Sequence, residues 1–229
     1  MASQLELLNQ EIIQCTRCPR LIAHCQTIGR EKRRAYRDCE YWAKPVPGWG
    51  DPHARMLILG LAPGAHGSNR TGRPFTGDGS GNFLYSALHK TGFASQPTSR
   101  SREDGLTLHD AYITAAVHCA PPANKPTPVE IANCSTHVER EIALLRDVTV
   151  VLVLGKIAFD AYLNHVKAKG LIKNKSGFVF AHGAHYPLPD GRTLLCSYHP
   201  SLQNTLTGKL TEKMMVDVLR KARKLLEQS

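Results

Sequence analysis

VTVVLVLG, residues 148–155, is an almost unbroken run of β-branched and aliphatic residues that ends in glycine. A short apolar run of this kind is typical of a strand that is buried on both faces in a parallel sheet. Similar runs predict further strands at 56–61, 111–119 and 193–198. Because the segments between these strands have helical patterns, the sequence predicts an α/β fold with a largely parallel sheet.

The predicted helices follow the strands in alternation. Residues 1–14 have an amphipathic pattern, and further helices are expected from near residue 79, after the prolines at 126 and 128, from 156 and from about 211. Thr127 is a suitable N-cap for the helix that we expect to run to about Arg146. No repeat or composition break divides the chain, so residues 1–229 are predicted to form one domain.

The net charge is +10, from 29 lysines and arginines against 19 acidic residues. An excess of this size favours a polyanionic partner, most commonly nucleic acid, although a solvated basic surface remains an alternative. Basic residues cluster in three segments, 30–37, 167–175 and 209–224. No apolar run approaches the roughly 20 residues of a membrane helix, and the N-terminus lacks a signal-peptide pattern, so we expect a cytoplasmic protein without a membrane partner.

The loop GLAPGAHGSNRTGRPFTGDGSG, residues 60–81, carries seven glycines and a single acid, Asp78. It lacks the Gly-Lys-Ser/Thr ending of a phosphate-binding P-loop, and it fits the dinucleotide fingerprint only in part. An aspartate at the helix entrance would also repel a phosphate placed there. The loop therefore argues against a nucleotide cofactor. Asp78 could equally be a simple N-cap, and Phe75 a core residue.

Seven cysteines in a chain without an export signal argue against a disulfide framework. Cys15 and Cys18 form a C-x-x-C motif, and Cys119 and Cys134 lie far downstream. Four thiolates suit a structural zinc ion or a [4Fe–4S] cluster, and their spacing does not separate the two. Packing of unrelated cysteines in the core is the third alternative.

Several segments together resemble the uracil-DNA glycosylase superfamily, and most closely its family 5, the type B iron–sulfur enzymes. The matching segments are CTRCPRL (15–21), the loop at 60–81, AYITAAVHCAPPANKPTP (111–128), HGAHYPLPDGR (182–192) and YHPSLQNTLTGKLT (198–211). The resemblance implies a three-layer α/β/α fold with a central four-stranded parallel sheet. It also implies a structural [4Fe–4S] cluster on Cys15, Cys18, Cys119 and Cys134.

The activity implied by the resemblance is hydrolysis of the N-glycosidic bond of uracil in DNA, extended to hypoxanthine and xanthine, which leaves an abasic site. Such an enzyme must take the damaged nucleotide out of the duplex. The predicted partner is DNA containing a deaminated base, and we expect a monomer that uses no nucleotide cofactor.

The resemblance also suggests roles for individual residues. Asp78 would stabilise the cationic sugar and align the attacking water, and His199 would donate a hydrogen bond to the departing base, as a neutral imidazole if burial disfavours its charged form. The predicted base-binding residues are Ala65, His66, Gly67 and Phe75, the last by stacking. The predicted DNA contacts are Arg70, Arg73, Ser201, Leu202, Gln203, Asn204 and Lys209, with Leu202 or Gln203 as the wedge that fills the vacated space.

Two positions depart from the related family 4. Leu61 stands where those enzymes have a glutamate, and Ala115 where they have a uracil-reading asparagine. These departures predict a pocket that is less specific for uracil, and they leave open whether Asn69, Asn124, His182 or His185 reads the base edge. The rival hypotheses are a non-catalytic module that binds damaged or single-stranded DNA on the same fold, and a zinc-containing nucleotide hydrolase.

Overall fold

A six-stranded mixed sheet forms the centre of the protein in the computed structural model, which describes residues 3–228. In chain order the strands are β1 (Trp49–Gly50), β2 (Met56–Gly60), β3 (Ala111–Ala115), β4 (Val150–Leu154), β5 (His185–Pro187) and β6 (Thr193–Ser197). They lie in the spatial order β1-β3-β2-β4-β6-β5. The four central strands are parallel, and β1 and β5 pair with their neighbours in the antiparallel direction.

Eight α-helices connect and cover the strands in the described part of the chain. They are α1 (Gln4–Ile13), α2 (Pro19–Glu31), α3 (Ser68–Thr71), α4 (Gly79–Lys90), α5 (Pro128–Leu144), α6 (Lys156–Ala168), α7 (Leu202–Leu206) and α8 (Glu212–Leu226). Short 3-10 turns occur at Arg34–Tyr36 and Pro122–Asn124.

The core consists of one apolar layer on each face of the sheet. Side chains of the parallel strands alternate between the faces: Ile58 and Leu152 pack with α4 and α8, whereas Leu57 and Val151 pack with α5 and α6. All four residues are fully buried. This arrangement confirms the α/β sandwich and its four-stranded parallel centre.

The local predictions agree with the structure at several element boundaries. Thr127 caps α5 and forms a capping box with Glu130, which is the arrangement expected from the T-P-x-E sequence. Thr211 caps α8. The strand predicted at 111–119 is shorter, because it ends at Ala115, and the edge strands β1 and β5 were not predicted. No helix among residues 3–228 is both long enough and apolar enough to cross a membrane.

Candidate active site

An open cavity of about 650 Å³ lies beyond the carboxyl ends of the parallel strands, where ligands usually bind in sheets of this kind. The loop that follows β2 forms one wall of the cavity, and the segment that follows β6 forms another. Nine of the residues predicted for the site line it: Ala65, His66, Gly67, Phe75, Asp78, His199, Ser201, Leu202 and Gln203.

Asp78 is the N-cap of α4, and its Oδ1 accepts a hydrogen bond from the backbone N–H of Gly81 at 2.9 Å. Burial raises the pKa of Asp78 above its usual value, although the amides of Gly81 and Ser80 and the charge of Arg70 oppose the shift. Its Oδ2 faces the loop glycines: a Cβ on Gly67 would overlap this oxygen, and one on Gly64 would lie 2.9 Å from it. Glycine at these positions therefore makes room for the carboxylate.

His199 follows β6 and lies beside the ring of Phe75, with the two ring centres 5.9 Å apart and the planes tilted by 36°. Burial lowers the pKa of His199 to about 4, so its imidazole is neutral near pH 7. Within residues 3–228 the ring makes no hydrogen bond to protein, and the side chain lines the cavity. A neutral imidazole of this kind has one N–H to donate.

The turn at residues 64–67 places several backbone amides at the cavity. The described chain contains no acceptor for the amides of Ala65, His66 and Gly67. Asn69 holds this turn from below, since its buried side chain donates to Ala65 O at 3.4 Å and to Cys25 O at 3.3 Å. Asn69 therefore stabilises the turn, and it does not line the cavity.

Phe75 adopts a left-handed backbone conformation, with φ of +50°. Its ring packs over Gly60, where an added Cβ would lie 3.1 Å from Cε2. Its carbonyl lies against Gly81, so closely that a Cβ there would overlap the oxygen. Two glycines thus allow the ring to cover the floor of the cavity as a flat apolar surface.

Arg70 closes the loop from within. Its Nε donates to His66 O at 2.9 Å, and its Nη2 donates to Gly77 O at 2.7 Å. The guanidinium also lies over the ring of Tyr36, 4.0 Å from its centre. Two of its N–H donors therefore hold the two ends of the loop together.

Arg73 is buried, with only 2% of its surface exposed, and its Nη2 donates to both carboxylate oxygens of Asp104. Burial alone would raise the pKa of Asp104, but the hydrogen bond from Arg73 and those from backbone amides lower it to about 2. The guanidinium also packs over Trp49. The structure contradicts the prediction that Arg73 contacts a DNA phosphate, because this side chain does not reach the surface.

The segment after His199 forms α7 at the rim of the cavity. Ser201 caps α7, and Asn204 donates to His199 O at 2.8 Å, which holds the turn that carries the histidine. Leu202 is 56% exposed and lies over Gly79, at the start of α4. Gln203 and Lys209 are also exposed, and the Lys209 ammonium lies 5.3 Å from the centre of the Tyr198 ring.

The four predicted cysteine ligands line one small cavity between the C-x-x-C segment and the start of α5. Arg17 anchors this segment to α5 by donating to Thr136 Oγ1 at 2.5 Å, and Asn133 Nδ2 lies 3.5 Å from Cys18 Sγ. Burial raises the pKa of the Cys134 thiol, and repulsion from the thiolates of Cys18 and Cys15 raises it further. In the described chain, no three His, Cys, Asp or Glu side chains are grouped so that they could hold a metal ion.

Some lining residues were not predicted. Among them are Val46 and Thr114, whereas Asn124, one of the candidates left open for reading the base edge, lines the cavity from the 3-10 turn. His118 fixes Val46, because its backbone O accepts from Val46 N at 2.7 Å and its Nδ1 lies 2.9 Å from Val46 O. No motif in the sequence indicates that residue 46 would reach this site.

The other two histidines considered for base reading lie elsewhere. The Nδ1 of His182 accepts from Tyr198 N, its Nε2 lies 3.3 Å from Met214 O, and His185 is exposed on β5. Leu61 and Ala115 both line the cavity. The two positions that differ from family 4 therefore present apolar side chains to it.

The chain belongs to a class of DNA glycosylases: residues 47–223 match the family model described as the uracil DNA glycosylase superfamily. A Thermus thermophilus protein named type-5 uracil-DNA glycosylase is 54% identical over 96% of this chain and 97% of its own length. A Pyrobaculum aerophilum protein of the same name is 43% identical over 92% of this chain and 88% of its own.

A more distant relative has a different name. An Archaeoglobus fulgidus protein named type-4 uracil-DNA glycosylase is 32% identical over 52% of each chain. The higher identity and longer coverage of the type-5 relatives agree with the resemblance to family 5 drawn from the motifs.

Proposed function

We propose that this chain is a monofunctional, cytoplasmic DNA glycosylase that acts as a single domain and a monomer. It hydrolyses the N-glycosidic bond of uracil in DNA and leaves an abasic site. The observation that carries the proposal is the pairing, in one cavity, of the half-buried Asp78 carboxylate with a neutral imidazole beside the half-buried ring of Phe75. The names of the relatives support the same activity.

The proposed reaction separates charge between sugar and base. The bond from the sugar C1′ to the base nitrogen breaks, and its electron pair leaves with the base. The oxygen of water then bonds to C1′, and the water proton completes the neutral product base. Asp78 faces the cationic sugar, while the N–H of His199 and the amides of residues 65–67 donate to the base as its negative charge develops.

Binding requires the nucleotide to leave the duplex stack, which costs a few kcal/mol and least for a mispaired base. Phe75 offers its ring as a stacking surface for the extruded base. Leu202 and Gln203 are exposed at the rim and are suited to fill the space left in the duplex. The proposed contacts to the DNA strand are Ser201, Asn204, Lys209 and the N–H groups of Arg70 that do not bind within the loop.

We propose that hypoxanthine and xanthine are also substrates. Leu61 and Ala115 present apolar surface at positions where a uracil-specific pocket would present polar groups. The backbone amides of residues 65–67 can donate to a carbonyl oxygen, which all three bases have. The volume of about 650 Å³ is large enough for a purine ring.

We also propose a structural [4Fe–4S] cluster held by Cys15, Cys18, Cys119 and Cys134. The convergence of four thiols on one cavity supports this proposal. The cluster would fix the N-terminal segment against α5, and it takes no part in the steps above.

A base-release assay tests the activity. Incubation with single- and double-stranded oligonucleotides that contain uracil, hypoxanthine or xanthine is expected to yield free base and abasic DNA, measured by chromatography and alkaline cleavage. DNA binding without base release would instead support the non-catalytic module. Hydrolysis of free nucleotides without action on DNA would support the nucleotide hydrolase.

Replacing Cys134 by serine is expected to remove most of the bound iron, because the thiolate is a cluster ligand. The measurement is iron content per chain together with absorbance near 400 nm in freshly purified protein. Cys39→Ser is the matched control, since this cysteine does not line the cavity and should keep the iron of the parent. Stoichiometric zinc in the parent protein, or equal iron in both variants, would contradict the ligand assignment.

A further inference from the structure

A group of exposed arginines lies at the end of α2 and in the segment that follows it. This segment, the basic arm (residues 30–37), contains Arg30, Lys32, Arg33, Arg34 and Arg37. Arg33, Arg34 and Arg37 are exposed, and none of them forms a salt bridge within residues 3–228. Three acids are near in sequence, Glu31, Asp38 and Glu40, and the five cations outnumber them.

The basic arm is joined to the loop that forms the cavity wall. The hydroxyl of Tyr41, just after the arm, lies 3.0 Å from Nδ1 of His66, and it accepts a hydrogen bond from Arg33 N at 3.4 Å. His66 is itself a lining residue. The charge of Arg33 reaches the cavity wall, since it adds to burial in lowering the pKa of His66.

Two further contacts fix the position of the arm. The ring of Tyr36, within the arm, lies under the guanidinium of Arg70, and Trp42 N donates to Arg70 O at 2.9 Å. The arm is therefore held against the short helix α3, beside the turn at 64–67.

Other basic residues are engaged within the protein. Arg73 pairs with Asp104, Lys156 with Asp160, and Lys169 with Glu139. Lys213 and Arg220 both pair with Asp217. Arg33, Arg34 and Arg37 of the arm make no salt bridge in the described chain, whereas these other basic residues do.

We propose that Arg33, Arg34 and Arg37 bind backbone phosphates of the DNA next to the extruded nucleotide. The inference rests on the proposed function, because it assumes that the cavity receives a nucleotide from DNA. Contacts to phosphates carry no sequence information, but they fix the position of the protein on the strand. The arm would take over the role that Arg73 was predicted to fill.

Replacing all three arginines by glutamine is expected to weaken DNA binding and its salt dependence together. Each lost phosphate contact lowers the slope of log affinity against log salt by about 0.9 for duplex DNA, so the slope should fall by about 2 to 3. The measurement is fluorescence anisotropy of an undamaged labelled duplex at several NaCl concentrations.

The matched control replaces Lys167, Lys173 and Lys224 by glutamine. Replacing these exposed lysines removes the same charge, and none of the three lines the cavity or belongs to the basic arm. The control should keep the wild-type slope, and a triple Arg→Lys variant of the arm should restore most of it. If the Arg→Gln variant of the arm lowers the slope no more than the control variant does, the proposal is overturned.

The two proposals fail in different ways. If the wild-type protein releases no base but the arm variant still lowers the slope, the glycosylase function is wrong and the DNA-binding arm stands. If base release is normal and the arm variant binds DNA with the wild-type slope, the function stands and the arm is wrong.

Discussion

Replacing Asp78 by asparagine is expected to lower the single-turnover rate of base release by about 100- to 1,000-fold, the usual effect of removing one preorganised electrostatic group. Asparagine keeps the shape of the side chain and is a good N-cap, so the hydrogen bond from Gly81 N should persist. What is lost is the negative charge that faces the sugar. The measurement is base release from uracil-containing DNA at saturating enzyme.

The raised pKa of Asp78 adds a second expectation. Burial raises this pKa, so the carboxylate is harder to ionise in the folded protein than in the unfolded one. The folded state therefore loses stability as pH rises through the range between the ordinary and the raised pKa. Asp78→Asn should therefore be at least as stable as the parent at neutral pH. Activity, which needs the ionised form, should fall at acidic pH sooner than it would with an ordinary aspartate.

A matched control separates catalysis from helix capping. Thr211→Ala removes the N-cap of α8, which does not line the cavity, and is expected to cost about 1 kcal/mol of stability with no change in rate. Wild-type rates in Asp78→Asn would show that this carboxylate only caps α4, which was the alternative interpretation of the sequence.

The sequence predicts the sheet well because burial on both faces leaves a strong local signal. The run at 148–155 and its three counterparts became the four parallel strands, and Asp78, Thr127 and Thr211 mark helix starts that follow from capping chemistry. The edge strands β1 and β5 have only two and three residues, so they carry no such signal.

The environment of Arg73 shows what local patterns do not contain. An arginine in a polar, glycine-rich loop is usually exposed, and nothing near residue 73 indicates a partner. Its carboxylate, Asp104, lies 31 positions away, and only the folded chain brings the two together. The basic arm shows the converse, since its charge was evident from the sequence but its place beside His66 depends on Tyr41.

Replacing His199 by alanine is expected to slow base release by about 100- to 1,000-fold, because the departing base loses a preorganised donor. Asn204 holds the backbone of this turn through His199 O, so the truncated side chain leaves the turn in place. The measurement is again the single-turnover rate, with duplex binding as a control that should change little.

The pH dependence distinguishes a neutral from a charged donor at this position. Since burial lowers the pKa of His199 to about 4, its imidazole is neutral throughout the range from about pH 6 to 8. Titration of His199 should therefore cause no change in rate across that range. The pH profiles of the wild-type protein and of His199→Ala should have the same shape there. A decline near the ordinary histidine pKa, present in the parent and absent in the variant, would mean that the imidazolium is the active form.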